Sequence, residues 1–391
     1  MQRTVEKVFF ALIRFEINGA ELCDEIKNLI TPEMLPALFK LSKRHDLAHL
    51  IGDALDKNGL LPDGTEAKKR FLQERNMAVY RYEQIQYEFE QICDALEKAK
   101  IPFIPLKGSV IRQYYPEPWM RTSCDIDILV QQERLEEVEN LLINILNYAK
   151  HGVGAHDVQF YSESGVHLEL HFSLIEFQKF EQQKKAKLIL DQAWKEVEEN
   201  ENFTKIFRGE FFLFYHMVHM FNHFIGGGCG VRFFIDVWII QQFIDINNVR
   251  FNEFLQTANL VKFSDGILQA TNVWLGEGKE TSIVIDLQEY VLHAGMYGDI
   301  KNRIAIEQGK KGNKRSYVFK RLFLSYEELR FQYPIINRYK ILTPICQLVR
   351  WGRLLFRTNK SKPLMELRLN RKISEEQKNR AARIFFDLDI N

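Results

Sequence analysis

The sequence has few cysteines, and their arrangement argues against two classes of protein. Five cysteines are scattered along 391 residues, and no two of them form a CxxC pair. Zinc ribbons and disulfide-stabilised secreted domains need paired cysteines at defined spacings. We therefore expect a reduced, cytoplasmic protein without a zinc ribbon or a disulfide framework.

Long hydrophobic runs are also missing. No stretch offers the roughly eighteen apolar residues without charge that a membrane-spanning helix requires. The first residues lack the apolar core of a signal peptide, because Glu6, Arg14 and Glu16 interrupt their pattern. The sequence thus predicts no membrane span and no secretion signal.

The chain has almost no net charge. Its 53 Lys and Arg residues balance 52 Asp and Glu residues, which gives a formal charge of +1. Proteins that bind long nucleic acid are usually basic, so long nucleic acid is disfavoured as a partner. The apolar fraction of 46% is typical of a globular protein, and the length allows two or three domains.

Helical periodicity dominates both ends of the chain. Apolar residues recur three or four apart in Val5–Ile17, and Thr65–Lys100 is a long charged stretch without Gly or Pro. We assign residues 1–98 to an N-terminal helical region and residues 181–391 to a C-terminal helical region. Strand and helix signals alternate in residues 99–180, which predicts a small mixed sheet with helices on one side.

Two short stretches of this middle segment are predicted as strands with polar side chains on one face. Asp125–Val130 begins with an Asp-x-Asp pattern, and Val166–Phe172 contains the pattern His-x-Glu-x-His. Side chains two positions apart on a strand point the same way. The residues brought to one face by this rule are Asp125 and Asp127 on the first strand, and His167, Glu169 and His171 on the second.

A glycine turn precedes the first of these strands. Ile101–Leu106 is a short apolar run whose two prolines favour a position at a sheet edge. Gly108 and Ser109 then open a helix over Val110–Tyr115. A helix N-terminus offers free backbone N–H groups and the positive end of the helix dipole, which suits a polyphosphate.

Neighbouring carboxylates repel one another unless water screens them or a divalent cation lies between them. An Asp-x-Asp pattern alone favours the screened arrangement at a solvated strand edge. Mg²⁺ prefers a few carboxylates plus substrate phosphates. A third carboxylate on an adjacent strand would complete a two-metal site for displacement at phosphorus.

In this order, the motifs resemble the nucleotidyltransferase superfamily with the polymerase-beta-like fold. Its members carry an apolar strand, Gly-Ser or Gly-Gly opening a helix, Asp-x-Asp on the next strand and an acidic residue on a later strand. The Leu106-Lys107-Gly108 turn, Arg121 and Glu169-Leu170-His171 are similar to a large bacterial group within it. The resemblance implies an α+β fold with a small mixed sheet, flanked by large helical N- and C-terminal regions.

The resemblance also implies an activity and the residues that perform it. A Mg²⁺-dependent nucleotidyltransferase would move a nucleoside monophosphate from an NTP to an acceptor hydroxyl on a small molecule or a protein, releasing pyrophosphate. Many family members carry Asp where this chain has Glu169. Two Mg²⁺ ions would be held by Asp125, Asp127 and Glu169, which are also the catalytic residues. The phosphates would contact Lys107, Gly108, Ser109 and Arg121.

Other polar residues are candidates for the same cleft, namely His167, His171, His219 and Asp236. Asp236 could pair with Arg232, one helical turn earlier, or face the cleft. His216, His219 and His223 share a helix face. Helix packing or a place in the cleft explains these histidines better than a zinc site, which needs further ligands at set spacings.

Two further functions stay open. A degenerate domain would bind a nucleotide or a protein partner without turnover, and a zinc hydrolase would use the three histidines. Near the C-terminus, Val349–Arg357 alternates basic and apolar residues. We expect a packed helix there rather than one that lies on a membrane surface.

Overall fold

The computed structural model describes residues 2–175, 180–296, 298–299, 302–304, 323–333, 335–356 and 374–390. The sequence is basic and aromatic from Ser316 to Phe356 and charged from Thr358 to Asn391, and the first part of each stretch lies outside the described residues. Among the described residues, no helix combines the length and apolarity needed to cross a bilayer.

Five helices precede the sheet. Their bounds are α1 Gln2–Asn18, α2 Asp24–Leu29, α3 Leu35–Arg44, α4 Ala48–Lys57 and α5 Glu66–Lys98. The sequence offers two starts for α3, with Thr31 as N-cap before Pro32 or at Pro36, and the observed start at Leu35 agrees with the second. The 33-residue helix α5 begins where the Thr65 side chain accepts a hydrogen bond from the Lys68 N–H, an N-cap that satisfies a free donor of the first turn.

The sheet has five strands in the order β1-β2-β5-β4-β3. Their bounds are β1 Phe103–Pro105, β2 Asp125–Val130, β3 Ala149–Val153, β4 Asp157–Tyr161 and β5 His167–His171. β2 and β5 run parallel, and the other neighbours are antiparallel. This mixed sheet confirms the predicted α+β fold class, and β1 lies at the edge as its prolines require.

One face of the sheet packs against helices. Ile126, Ile128 and Leu168 share a buried core with residues of α5 and of α7 Leu135–Asn144. From the sequence, helical spacing of apolar residues over Gln131–Ala149 predicts a longer helix, but Ala149 already starts strand β3, which was not predicted. The opposite face carries the polar residues of β2 and β5, which leaves them free to form a site.

Helices also follow the sheet, as predicted. Their bounds are α8 Glu181–Leu190, α9 Gly209–Ile225, α10 Val231–Phe243, α11 Asn248–Ala258, α12 Val261–Leu275, α13 Ser282–Ala294, α14 Tyr326–Gln332, α15 Ile335–Arg338, α16 Thr343–Phe356 and α17 Glu375–Asp387. The largest core joins α1 to these later helices. The rings of Phe10 and Trp274 stack there with centroids 5.1 Å apart.

Candidate active site

A cavity of about 390 Å³ lies between the polar face of the sheet and helices α9 and α10. Its sheet side is lined by Asp125, Asp127 and Glu169, and its helical side by three histidines and Phe233. Lys107 and Gly108, from the turn before α6 Gly108–Ile111, close one end. The structure thus brings the predicted carboxylates and part of the predicted phosphate turn to one space.

The carboxylates meet because β2 and β5 are adjacent and parallel. Their register pairs Asp125 with His167 and Asp127 with Glu169. Ligand atoms of Asp125, His167 and Glu169 lie within 4.8 Å of one another, and so do those of Asp127, Glu169 and His171. Glu169 belongs to both groups.

This donor set fits divalent cations. Each group combines two carboxylates with one imidazole, and carboxylate oxygens are the ligands that Mg²⁺ and Mn²⁺ prefer. Burial raises the pKa of Asp125, and the nearby charges of Asp127 and Glu169 raise it further. A bound cation would relieve this repulsion, which is why the cluster suits a metal ion better than a solvated strand edge.

Asp127 differs from Asp125 because two donors hold it. Its Oδ1 lies 2.8 Å from His171 Nε2 and 3.1 Å from Lys107 Nζ. Burial would raise the pKa of Asp127, but Lys107 and His171 outweigh burial and hold it below its usual value. His171 is buried, which opposes its charge, yet its bonds to Asp127 and Glu169 raise its pKa. Asp127 is therefore ionised and already partly neutralised by the chain.

The turn before α6 has an unusual backbone. Lys107 has φ +44° and ψ −113°, a region that glycine adopts readily and other residues adopt at a cost. A Cβ at Gly108 would lie 2.5 Å from Arg121 Nη1, so glycine is required for Arg121 to approach the turn. Ser109 lies in α6, only four residues long, and does not line the cavity.

Arg121 is bound by a buried carboxylate. Its Nε and Nη2 donate to the two oxygens of Asp236 at 3.0 and 2.9 Å, and Tyr115 donates to the same carboxylate at 2.7 Å. Of the two alternatives that the sequence left open for Asp236, pairing with Arg232 is therefore wrong, because Asp236 pairs with Arg121. Arg232 donates instead to the Thr122 carbonyl at 2.7 Å. Arg121 and Asp236 both still line the cavity.

The three histidines of α9 form one wall of the cavity with Phe233. The rings of His219 and His223 have centroids 4.7 Å apart, and His223 lies 5.0 Å from Phe233. His216 is buried, and burial lowers its pKa to about 4. Within the described part of the chain, none of the three belongs to a group of metal-ligating residues. The geometry favours a cleft wall over a zinc site.

Sequence reasoning missed six residues of the cavity, namely Ser123, Cys124, His156, Arg232, Phe233 and Met296. The ring of His156 stacks on His171 with centroids 5.6 Å apart. His156 directly precedes β4, whose first residue pairs with His171 of β5. This position in the chain could have identified it. Cys124 directly precedes the Asp-x-Asp motif, so proximity could have identified it.

A comparison of the chain with curated proteins gave no match. Among solved structures, the Thermotoga maritima CCA-adding enzyme complexed with tRNA is similar at 10% identity and a TM-score of 0.21, over 81% of this chain and 85% of that one; a likeness this weak carries no argument about function. Residues 32–276 match the family described as uncharacterised nucleotidyltransferase. Since this match spans well over half of the chain, the protein belongs to that nucleotidyltransferase family.

Proposed function

We propose that the protein transfers a nucleoside monophosphate from an NTP to an acceptor hydroxyl and releases pyrophosphate with the help of divalent metal. The observation that carries this proposal is the grouping of Asp125, Asp127 and Glu169 on one wall of a cavity that Lys107 also lines. Anionic ligands for metal and a cation for phosphate are the two requirements of phosphoryl-group chemistry.

Asp125, Asp127 and Glu169 would hold Mg²⁺, and bound Mg²⁺ supplies charge neutralisation at phosphate oxygens and lowers the pKa of an attacking hydroxyl. Glu169 also lies 3.5 Å from His171 Nε2, so the histidine orients its carboxylate. We assign Glu169 the removal of the acceptor proton, because its side chain lines the cavity and is 24% exposed, against 6% for Asp127.

The remaining walls suit the two substrates. Lys107 would exchange its contact with Asp127 for a phosphate oxygen of the NTP. Gly108 allows Arg121 to stand beside the turn, where the fixed guanidinium adds positive charge. We assign the wall of His219, His223 and Phe233 to the nucleobase or the acceptor, because flat rings stack on flat rings. The acceptor is then a small molecule or a protein hydroxyl.

The test is pyrophosphate release from ATP, GTP, CTP and UTP by the Asp125→Asn/Asp127→Asn variant with Mg²⁺. We expect at least a hundredfold loss of the rate, because the variant removes both charges of the motif. The control is Asp191→Asn/Asp265→Asn, which replaces two exposed aspartates that lie away from the cavity. This variant should keep wild-type activity. Unchanged pyrophosphate release by the first variant would refute the proposal.

A binding function without turnover is the second candidate, and one observation favours it. Lys107 and His171 already neutralise Asp127, as expected where no cation needs to bind. Titration calorimetry distinguishes the two. ATP binding of similar affinity with and without Mg²⁺, followed by no turnover of any of the four nucleotides, would support the binding function.

A further inference from the structure

The balanced net charge conceals a strong asymmetry along the chain. Residues 308–365 contain 14 Lys and Arg but only 2 Asp and Glu, whereas the rest of the chain contains 39 and 50. From residue 329 to residue 365 there is no acidic residue at all. One segment is therefore strongly basic and the rest of the protein is acidic.

Helix α16, in this basic segment, turns apolar side chains to solvent. Ile345, Leu348 and Val349 are 55%, 60% and 44% exposed, and Ile341 just before the helix is 85% exposed. These positions recur three or four apart and lie along one side of the helix. The side that packs against the protein carries Cys346 and Gln347, which are 7% and 9% exposed. The helix predicted at Val349–Arg357 is thus part of α16, but the expected packing of its apolar side is wrong for Val349, which faces outward with Ile345 and Leu348.

Exposed basic residues accompany this apolar stripe. Arg338 and Lys340 precede the helix and Arg353 lies within it, and all three are exposed. Within the described residues none of them is in an ion pair. Lys340 Nζ lies 5.6 Å from the centre of the Tyr326 ring, and Arg353 Cζ lies 5.4 Å from that of Tyr333. Such contacts hold the cations beside the stripe without neutralising them.

We propose that the surface formed by Ile341, Ile345, Leu348, Val349 and the three cations binds the surface of an anionic lipid membrane, with α16 lying in the plane of the headgroups. An amphipathic helix with basic residues beside its apolar side has this property, and each basic residue near an anionic surface adds to the attraction.

The composition of the surface favours lipid over two other partners. RNA would stack its bases on exposed aromatic rings, but the four residues of the stripe are aliphatic. The nearby rings of Tyr326, Tyr333 and the exposed Tyr339 each have a cation within 6 Å of their centres. A second copy of the chain would place two basic surfaces without acidic residues against each other, and like charges repel. The acyl chains of a lipid would contact the apolar stripe, and its anionic headgroups would contact the three cations.

The test is co-sedimentation of the full chain with vesicles. We expect binding to vesicles of phosphatidylcholine with phosphatidylglycerol, little binding to phosphatidylcholine alone, and weaker binding at high salt. Lys340→Gln/Arg353→Gln should weaken binding roughly twentyfold, since each basic residue near the membrane contributes about fivefold. Ile345→Gln/Leu348→Gln should abolish it, because the apolar contact is lost.

The matched control is Lys40→Gln/Lys69→Gln, which removes two exposed charges from α3 and α5 and should bind vesicles like the wild type. Circular dichroism shows that each variant is folded. Absence of binding to anionic vesicles at low salt would overturn the proposal, as would equal binding by all variants. A dimer disrupted by Ile345→Gln/Leu348→Gln, or binding to an RNA oligonucleotide but not to vesicles, would also overturn it.

Discussion

Lys107 shows how a single residue carries backbone strain at the site. Its φ of +44° is disfavoured for any residue with a Cβ, yet its side chain reaches the Oδ1 of Asp127. Such strain persists at positions where the surrounding structure fixes the side chain for a purpose. The ammonium group of Lys107 therefore explains why a residue with a Cβ stands at a position whose backbone conformation suits glycine better.

Two substitutions at this position separate backbone strain from charge. Lys107→Gly and Lys107→Ala both remove the ammonium, but only glycine adopts positive φ without cost. We expect Lys107→Gly to be more stable than Lys107→Ala by about 1 to 3 kcal/mol, measured by urea unfolding. Equal stability of the two variants would show that the turn is not strained. Lys107→Arg serves as the control that keeps the charge.

The same turn makes a prediction about its neighbour. In Gly108→Ala the new methyl group would lie against Arg121, which cannot swing away because Asp236 holds it by two hydrogen bonds. We expect a loss of about 1 to 3 kcal/mol from this overpacking, measured as a lower midpoint in urea. Gly59→Ala is the comparison, because the space around that glycine is open and only its positive φ matters there. A smaller loss at Gly108 than at Gly59 would contradict the expectation.

At the scale of elements, the sequence predicted those with a clear period. β2 was predicted with its observed bounds, because Asp125–Val130 alternates polar and apolar residues before an apolar end. β3 was missed, since it has a single β-branched residue, Val153, and four of its five residues are exposed. Its pairing with β4 forms it, and tertiary pairing of this kind is invisible in a short polar stretch.

Contacts distant in sequence limited the prediction of the site. Strand alternation predicted that Asp125 and Asp127 share one face and that Glu169 shares another with His167 and His171, but it was the resemblance to the nucleotidyltransferase superfamily that linked the two strands. Arg121 and Asp236 are separated by 115 positions, and no local pattern joins them, so the sequence offered only the nearby Arg232 as a partner for Asp236. Residues that share one strand or turn could be predicted, and partners on different helices could not.

At the scale of the whole molecule, His45 connects the N-terminal helices to two helices that follow the sheet. Its Nδ1 accepts a hydrogen bond from the Val231 N–H of α10, and its Nε2 lies 3.3 Å from the Leu292 carbonyl of α13. The imidazole is therefore neutral with its proton on Nε2. Burial lowers the pKa of His45 to about 4, although the bond to Leu292 opposes this effect.

This pKa predicts loss of stability in acid. An unfolded histidine has a pKa of about 6.5, so between that value and 4 the unfolded state binds more protons than the folded state. The stability that neutral His45 provides is complete above pH 6.5 and falls as the pH drops towards 4, by up to about 3 kcal/mol. His45→Gln should show a shallower decline, measured by urea unfolding at several pH values. His216 is present in both proteins, so an identical decline would show that His45 is not the cause.

The core shared by the first and last helices constrains how this protein can diversify. A gene rearrangement that exchanged the central sheet alone would leave Phe10 and Trp274 packed as before but would replace Asp125, Asp127 and Glu169 together with their strands. Loss of either terminal helical region would instead expose the apolar side chains of the other, because the two regions share one core. The two regions therefore have to remain in the same chain. Variation in the substrates handled by related chains is therefore expected to accumulate on the inner wall of α9 and α10, and not through exchange of whole terminal segments.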